Sequence, residues 1–93
     1  MTESDKEVLR IAQEECAEVI QAISKVFRFG MDEMYEKETN KQRLEMELGD
    51  LLCMIELMIE KNLVNREKID QCLLNKRTRL ETWSNIFKEE AIQ

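Results

Sequence analysis

Four acids stand at spacings that bring them together on helices: Glu15 and Glu18 within "QEECAEVIQAISK" (13–25), and Glu47 and Asp50 within "ELGD" (47–50). Residues i and i+3 share a helix face, so each pair aims two carboxylates the same way. Two like charges about 4 Å apart repel by roughly 4 kcal/mol at an effective dielectric near 20. Protonation, nearby bases or a cation relieves such repulsion. The basic residues facing this region are few, so the economical answer is a hard divalent cation with oxygen ligands, Mg²⁺ or Mn²⁺, held by Glu15, Glu18, Glu47 and Asp50. A di-iron bundle centre is set aside, because it needs Glu-x-x-His on two helices and the chain has no histidine.

A helix advances about 100° per residue, which places each side chain on a wheel. In the first helical stretch Glu15 falls between Ala22 and Val8, inside an apolar arc that also holds Ala12, Val19, Ile23 and Val26. Glu18 lies at the arc's edge beside Ile11, and Glu14 a step further out next to Lys25. In the second stretch Leu44, Leu48, Leu51, Leu52, Ile55, Met58 and Ile59 form the apolar stripe, which Met54 and Leu57 widen on one side. Glu47 and Asp50 interleave with that widened side, whereas Glu45, Glu56 and Glu60 cluster on the opposite, solvated face. In a chain with 20 acidic residues a single acid near an apolar edge needs no explanation. The matched pair on two helices is what points to a site.

The elements that position these acids are helices throughout. Proline is absent and glycine occurs only at Gly30 and Gly49, so little punctuates the pattern. The first helix is predicted from Ser4, where S-x-x-E with Glu7 makes a capping box, to Gly30. "GMDEMYEKE" (30–38) is polar and aperiodic and reads as a connection with room for one helical turn. A second helix opens at Thr39 or Asn40 and runs to about Lys61, with Asn62 ending it; Asn65 caps a third that reaches about Ser84. The remainder, "NIFKEEAIQ", reads as a short helix or frayed tail. One domain is expected over 1–93, with its core at about 4–84.

A chain of 93 residues buries a small fraction of its surface. Leu44, Leu51, Ile55, Leu73, Leu74 and Leu80 leave apolar surface on more than one side, so a homodimer or a dimer of dimers is expected, with a four-helix core completed across the interface. The net charge of −6 argues against a non-specific nucleic-acid binder, which needs a basic face. Cys16, Cys53 and Cys72 form no CxxC pair and are expected as reduced, buried thiols, which fits a cytoplasmic protein. No apolar run is long enough for a membrane helix, and "MTESDKEV" lacks the basic start of a signal peptide.

"EECAE" (14–18) followed by "ELGD" (47–50) resembles the EExxE…ExxD signature of the MazG-like nucleoside triphosphate pyrophosphohydrolases, the all-alpha NTP pyrophosphatase superfamily. "SKVFRFG" (24–30), "TNKQRLEMELGDLL" (39–52) and "NKRTRLETW" (75–83) extend the resemblance over roughly residues 8 to 84. It implies a long-helix bundle that hydrolyses nucleoside or deoxynucleoside triphosphates between the α and β phosphates, giving a monophosphate and pyrophosphate. It also implies Glu15, Glu18, Glu47 and Asp50 as metal ligands, the four the wheel selects. Glu14 would then lie outside the inner ligands or on a second ion, and Glu15 or Glu18 would accept the proton of the attacking water. Lys25, Arg28, Lys76 and Arg79 match basic positions that would hold the triphosphate tail, and Asn40 and Asn75 match recurrent polar ones. The bland reading of those basic residues is a solvated helix face. Trp83 is read as a base-stacking residue or as an interface anchor.

The sequence identifies no residue that reads a particular base, so the choice among bases and sugars is open. The competing function is a non-catalytic helical dimer that binds nucleotide or acts as a regulatory module. Four inward acids give such a module no advantage, which favours the enzyme.

Overall fold

The structure, a computed structural model, describes residues 1–88. α1 spans Glu3–Phe29, a minimal antiparallel hairpin pairs β1 (Met34–Tyr35) with β2 (Glu38–Thr39), α2 spans Asn40–Glu60 and α3 spans Arg66–Trp83. The fold is all-α apart from the hairpin. The chain divides into two units, Met1–Leu63 and a second that begins at Val64.

Helix starts are set by caps. Thr2 caps α1: its hydroxyl accepts from the Asp5 N–H, while the Asp5 carboxylate accepts from the Thr2 N–H, both at 3.0 Å. This reciprocal box displaces the expected Ser4–Glu7 pairing by two residues. Thr39 repeats it on α2, with Gln42 as the reciprocal partner. Gly30 ends α1 at φ 94°, a conformation that strains any residue with a Cβ.

Within the first unit α1 and α2 run antiparallel. At one end Lys61 Nζ donates to Ser4 Oγ at 3.0 Å and stands 3.5 Å from the Asp5 carboxylate. At the other end the buried Asn40 donates its side-chain amide to the Gly30 carbonyl at 2.9 Å. On α1 the buried and half-buried positions include a row that steps 3 and 4 along Asp5, Val8, Ala12, Glu15, Val19, Ala22 and Val26; on α2 and its cap a matching row runs along Asn40, Leu44, Glu47, Leu51, Met54, Met58 and Lys61. This alternation is the seam of antiparallel helices packed side by side. Ala12, Ala22 and Met54 are the buried apolar residues of the seam. Glu15 and Glu47 occupy seam positions that apolar residues would otherwise fill.

The seam lies on the widened side of α2's apolar stripe. Leu48 and Leu52 therefore point away from α1, and Leu52 is 61% exposed. Ile20 and Phe27 on α1 are 68% and 86% exposed in the single chain. The three cysteines are free, as expected, but exposed; Cys16 and Cys53 lie off the seam, so the expectation of buried thiols does not hold.

The connection is a hairpin and not a helical turn. Its two-residue turn, Glu36–Lys37, places Glu36 at φ 58°. Backbone bonds anchor it, with the Asn40 N–H donating to the Glu33 carbonyl and the Lys41 N–H to Met31.

In the second unit Asn65 caps α3 by accepting from the Lys68 N–H at 3.0 Å, and Ser84 closes it through a bond to the Leu80 carbonyl. Leu73, Leu74 and Trp83 are exposed. After α3 the chain turns, and the Arg77 guanidinium lies over the Phe87 ring at 5.1 Å. The rest of the expected tail, 89–93, is outside the described residues.

Candidate metal centre

Glu15, Glu47 and Asp50 each offer one carboxylate oxygen, and these three oxygens lie within 4.8 Å of one another. The antiparallel seam produces this. It sets Glu15 on α1 against the turn of α2 that carries Glu47 and, three residues on, Asp50. Glu47 is 4% exposed, Glu15 is half-buried and Asp50 opens to solvent, so the trio runs from the interior outward. Glu18, also half-buried and one turn further along α1, stands outside the trio. Glu14 is exposed.

Two buried oxygens here, Oε2 of Glu15 and Oε2 of Glu47, have no hydrogen-bond partner. A buried carboxylate oxygen left unmatched is costly, and a cation is a natural complement. Glu15 feels the crowding in its acidity. Desolvation raises its pKa above the usual glutamate value, and the charges of Asp50, Glu47, Glu18 and Glu14 push it further the same way. A divalent cation reverses that balance by favouring the ionised carboxylates, and three oxygen donors suit Mg²⁺ or Mn²⁺. The donor set and the orphaned oxygens therefore fit the ion that the sequence implies.

One basic side chain reaches the trio that sequence reading passes over. Arg43, one turn before Glu47 on α2, places Nε 3.7 Å from Glu47 Oε1 and donates from Nη1 to Glu38 Oε1 on β2 at 3.3 Å. The i, i+4 spacing of Arg43 and Glu47 was the available signal.

A cavity of about 410 Å³ lies further along α1, lined by Lys25, Arg28, Phe29, Glu33, Met34, Tyr35 and Asn40. Lys25 follows Glu18 by seven residues, two helical turns or about 10 Å on the same face. Its ammonium sits 4.9 Å from the centroid of the Tyr35 ring, and the Arg28 guanidinium lies as close to Phe29. The structure thus brings Lys25, Arg28 and Asn40 to one pocket, walled by a hairpin that sequence reading missed. Lys76, Arg79 and Asn75 are exposed on α3, in the second unit.

No helix among the described residues is long and apolar enough to cross a membrane. Neither the curated proteins nor the solved structures compared with this chain gave a match. The family model of the MazG nucleotide pyrophosphohydrolase domain matches residues 3–78. That span carries both acid pairs, the hairpin, the seam and most of α3, and so the chain belongs to the MazG nucleotide pyrophosphohydrolase family.

Proposed function

We propose that this protein is a Mg²⁺-dependent hydrolase of nucleoside or deoxynucleoside triphosphates, releasing a monophosphate and pyrophosphate, and that 1–93 acts as one MazG-like domain with its core at about 4–84. The observation that carries this reading is the acidic trio with its two orphaned, buried oxygens in a chain of this family. Glu15, Glu47 and Asp50 would hold the ion, with Glu18 beside them; Mn²⁺ would serve as well. When bound, the ion supplies neutralisation of phosphate charge and an acidified water.

The chain's own groups do the rest. Water attacks the α phosphorus, a P–O bond forms, the bridging bond to the β phosphate breaks, and pyrophosphate leaves. Glu18, outside the trio yet one turn from Glu15, takes the proton of that water on its carboxylate. Lys25 and Arg28 bind phosphate oxygens, and Asn40, tied to the Gly30 carbonyl, fixes the pocket wall beneath them. For Lys76 and Arg79 a role on the phosphates rests on the family resemblance alone. Two chains associate through the exposed apolar faces of α1 and α2, completing a four-helix core. The free thiols suit a reducing cytoplasm.

The test is pyrophosphate release from a panel of triphosphates with and without Mg²⁺. Monophosphate plus pyrophosphate is the expected pair. A nucleoside diphosphate plus orthophosphate means a different reaction, and no product from any triphosphate means a nucleotide-binding module.

A further inference from the structure

We propose that Arg43 is a positioning residue, whose guanidinium fixes Glu47 for the cation and ties the hairpin to the acidic trio. The inference rests on the cation-site reading above. Glu47 has two oxygens with different surroundings: Oε1 faces Arg43 Nε at 3.7 Å, while Oε2 is buried and unpartnered. Arg43 thus occupies one edge of the carboxylate and leaves the other for a ligand. The same guanidinium donates from Nη1 to Glu38 on β2 at 3.3 Å. With Lys25, Tyr35, Thr39 and Asn40, Arg43 and Glu38 line a small recess beside the larger pocket. A planar guanidinium engages two carboxylates at fixed angles; an ammonium is a point charge without that fork.

Charge and position make opposite predictions at this site. A cation beside another cation's site weakens binding, so deleting Arg43 on charge alone strengthens it. Losing the group that orients a metal-binding carboxylate instead lowers metal affinity, typically by 10- to 100-fold.

The experiment is calorimetric titration of Mn²⁺ into the full chain at neutral pH, for wild type, Arg43→Gln, Arg43→Lys, Glu38→Gln and the surface control Lys41→Gln. We expect Arg43→Gln to bind about tenfold more weakly or worse, although its site is more negative. Arg43→Lys keeps the charge and still binds more weakly, and Glu38→Gln shows a smaller loss in the same direction. Lys41→Gln, which removes the same unit of charge from the same helix, binds as tightly as wild type or tighter. Mn²⁺ affinity in Arg43→Gln equal to or above wild type overturns the inference. Should Arg43→Gln fail to fold by circular dichroism, Arg43→Lys decides: wild-type affinity there overturns it equally. A wild type that binds no Mn²⁺ removes the cation site itself and the inference with it.

Discussion

Glu15 on α1 and Glu47 on α2 face one another across the seam, and each holds a buried Oε2 that nothing hydrogen-bonds. Apolar residues at both positions would pack better, so the pair detracts from the stability of the metal-free chain. Mg²⁺ or Mn²⁺ should therefore raise the melting temperature by mass action, increasingly with concentration. Glu47→Gln should abolish most of that rise, whereas Glu56→Gln, on the exposed face of α2, should keep it. A wild-type melting curve unmoved by saturating metal would remove the site.

The raised pKa of Glu15 gives a pH signature in the absence of metal. Its folded-state pKa lies above its unfolded one, so the unfolded chain releases this proton first as pH rises. The stabilisation belongs to the protonated form. It is fully present below the ordinary glutamate range and is lost as pH climbs through the raised value. Glu15→Gln should match the wild type in acid and melt higher than it at neutral pH. Asp5 behaves oppositely, since the Thr2 N–H lowers its pKa, so its contribution is present at neutral pH and lost on acidification. Melting temperatures across pH 3–8 for wild type, Glu15→Gln and Asp5→Asn check both signs. A Glu15→Gln difference independent of pH would contradict the first.

Capping makes a separate prediction for the element that carries Glu47. Thr39→Ala removes the hydroxyl that accepts from the Gln42 N–H, at a cost of roughly 1 kcal/mol. For a domain of this size that corresponds to a fall of about 4–8 °C. Differential scanning calorimetry of the variant against wild type reads it directly, and no change would mean that another group satisfies that N–H.

The helices and the acids of the trio, Glu15, Glu47 and Asp50, were legible in the sequence because each rests on a local rule. Thr39 and Asn65 are cap residues at the right places, Asn62 takes a left-handed φ of 60° just past α2, and the i, i+3 acids share a face by geometry. What escaped depends on contacts distant in sequence. Alpha2 carries an apolar arc broad enough to offer two faces, and only the docking of α1 shows that Met54 turns inward while Leu48 and Leu52 turn out. That choice is also what separates Glu47, deeply covered, from Asp50, open. The hairpin has two-residue strands, too short for an alternating pattern, and its left-handed position is filled by Glu36 where glycine or asparagine would have signalled a turn. Arg43, which sequence reading passes over, acquires its role only where Glu38 of the hairpin and Glu47 both meet its guanidinium.

Those outward leucines lead to a prediction about assembly. Phe27 and Leu52 are 86% and 61% exposed in a chain of 11.1 kDa that has few other places to bury apolar area. Light scattering at micromolar concentration should give at least twice that mass. Leu52→Glu should shift it toward the single chain, while Glu45→Gln, on the exposed face of α2, should not. An 11.1 kDa particle for the wild type would rule the assembly out.

The kinetic prediction separates binding from chemistry. Lys25 and Arg28 line the pocket, whereas Glu18 stands beside the trio and Asp50 within it. Lys25→Ala removes a charge that holds phosphate in the ground state and the transition state alike, so KM should rise with little change in kcat. It also frees the Tyr35 ring from its cation, which leaves the hairpin in place because backbone bonds anchor it through Glu33 and Met31. In the proposed roles Asp50 is an ion ligand and Glu18 the proton acceptor, so Asp50→Asn and Glu18→Gln should each lower kcat by orders of magnitude. Raising Mg²⁺ distinguishes the two: it should restore part of the loss in Asp50→Asn, whose defect is occupancy, and none in Glu18→Gln. Steady-state pyrophosphate release at several Mg²⁺ concentrations measures all three variants. Recovery of Glu18→Gln at high Mg²⁺ would reassign Glu18 from proton acceptor to ion ligand.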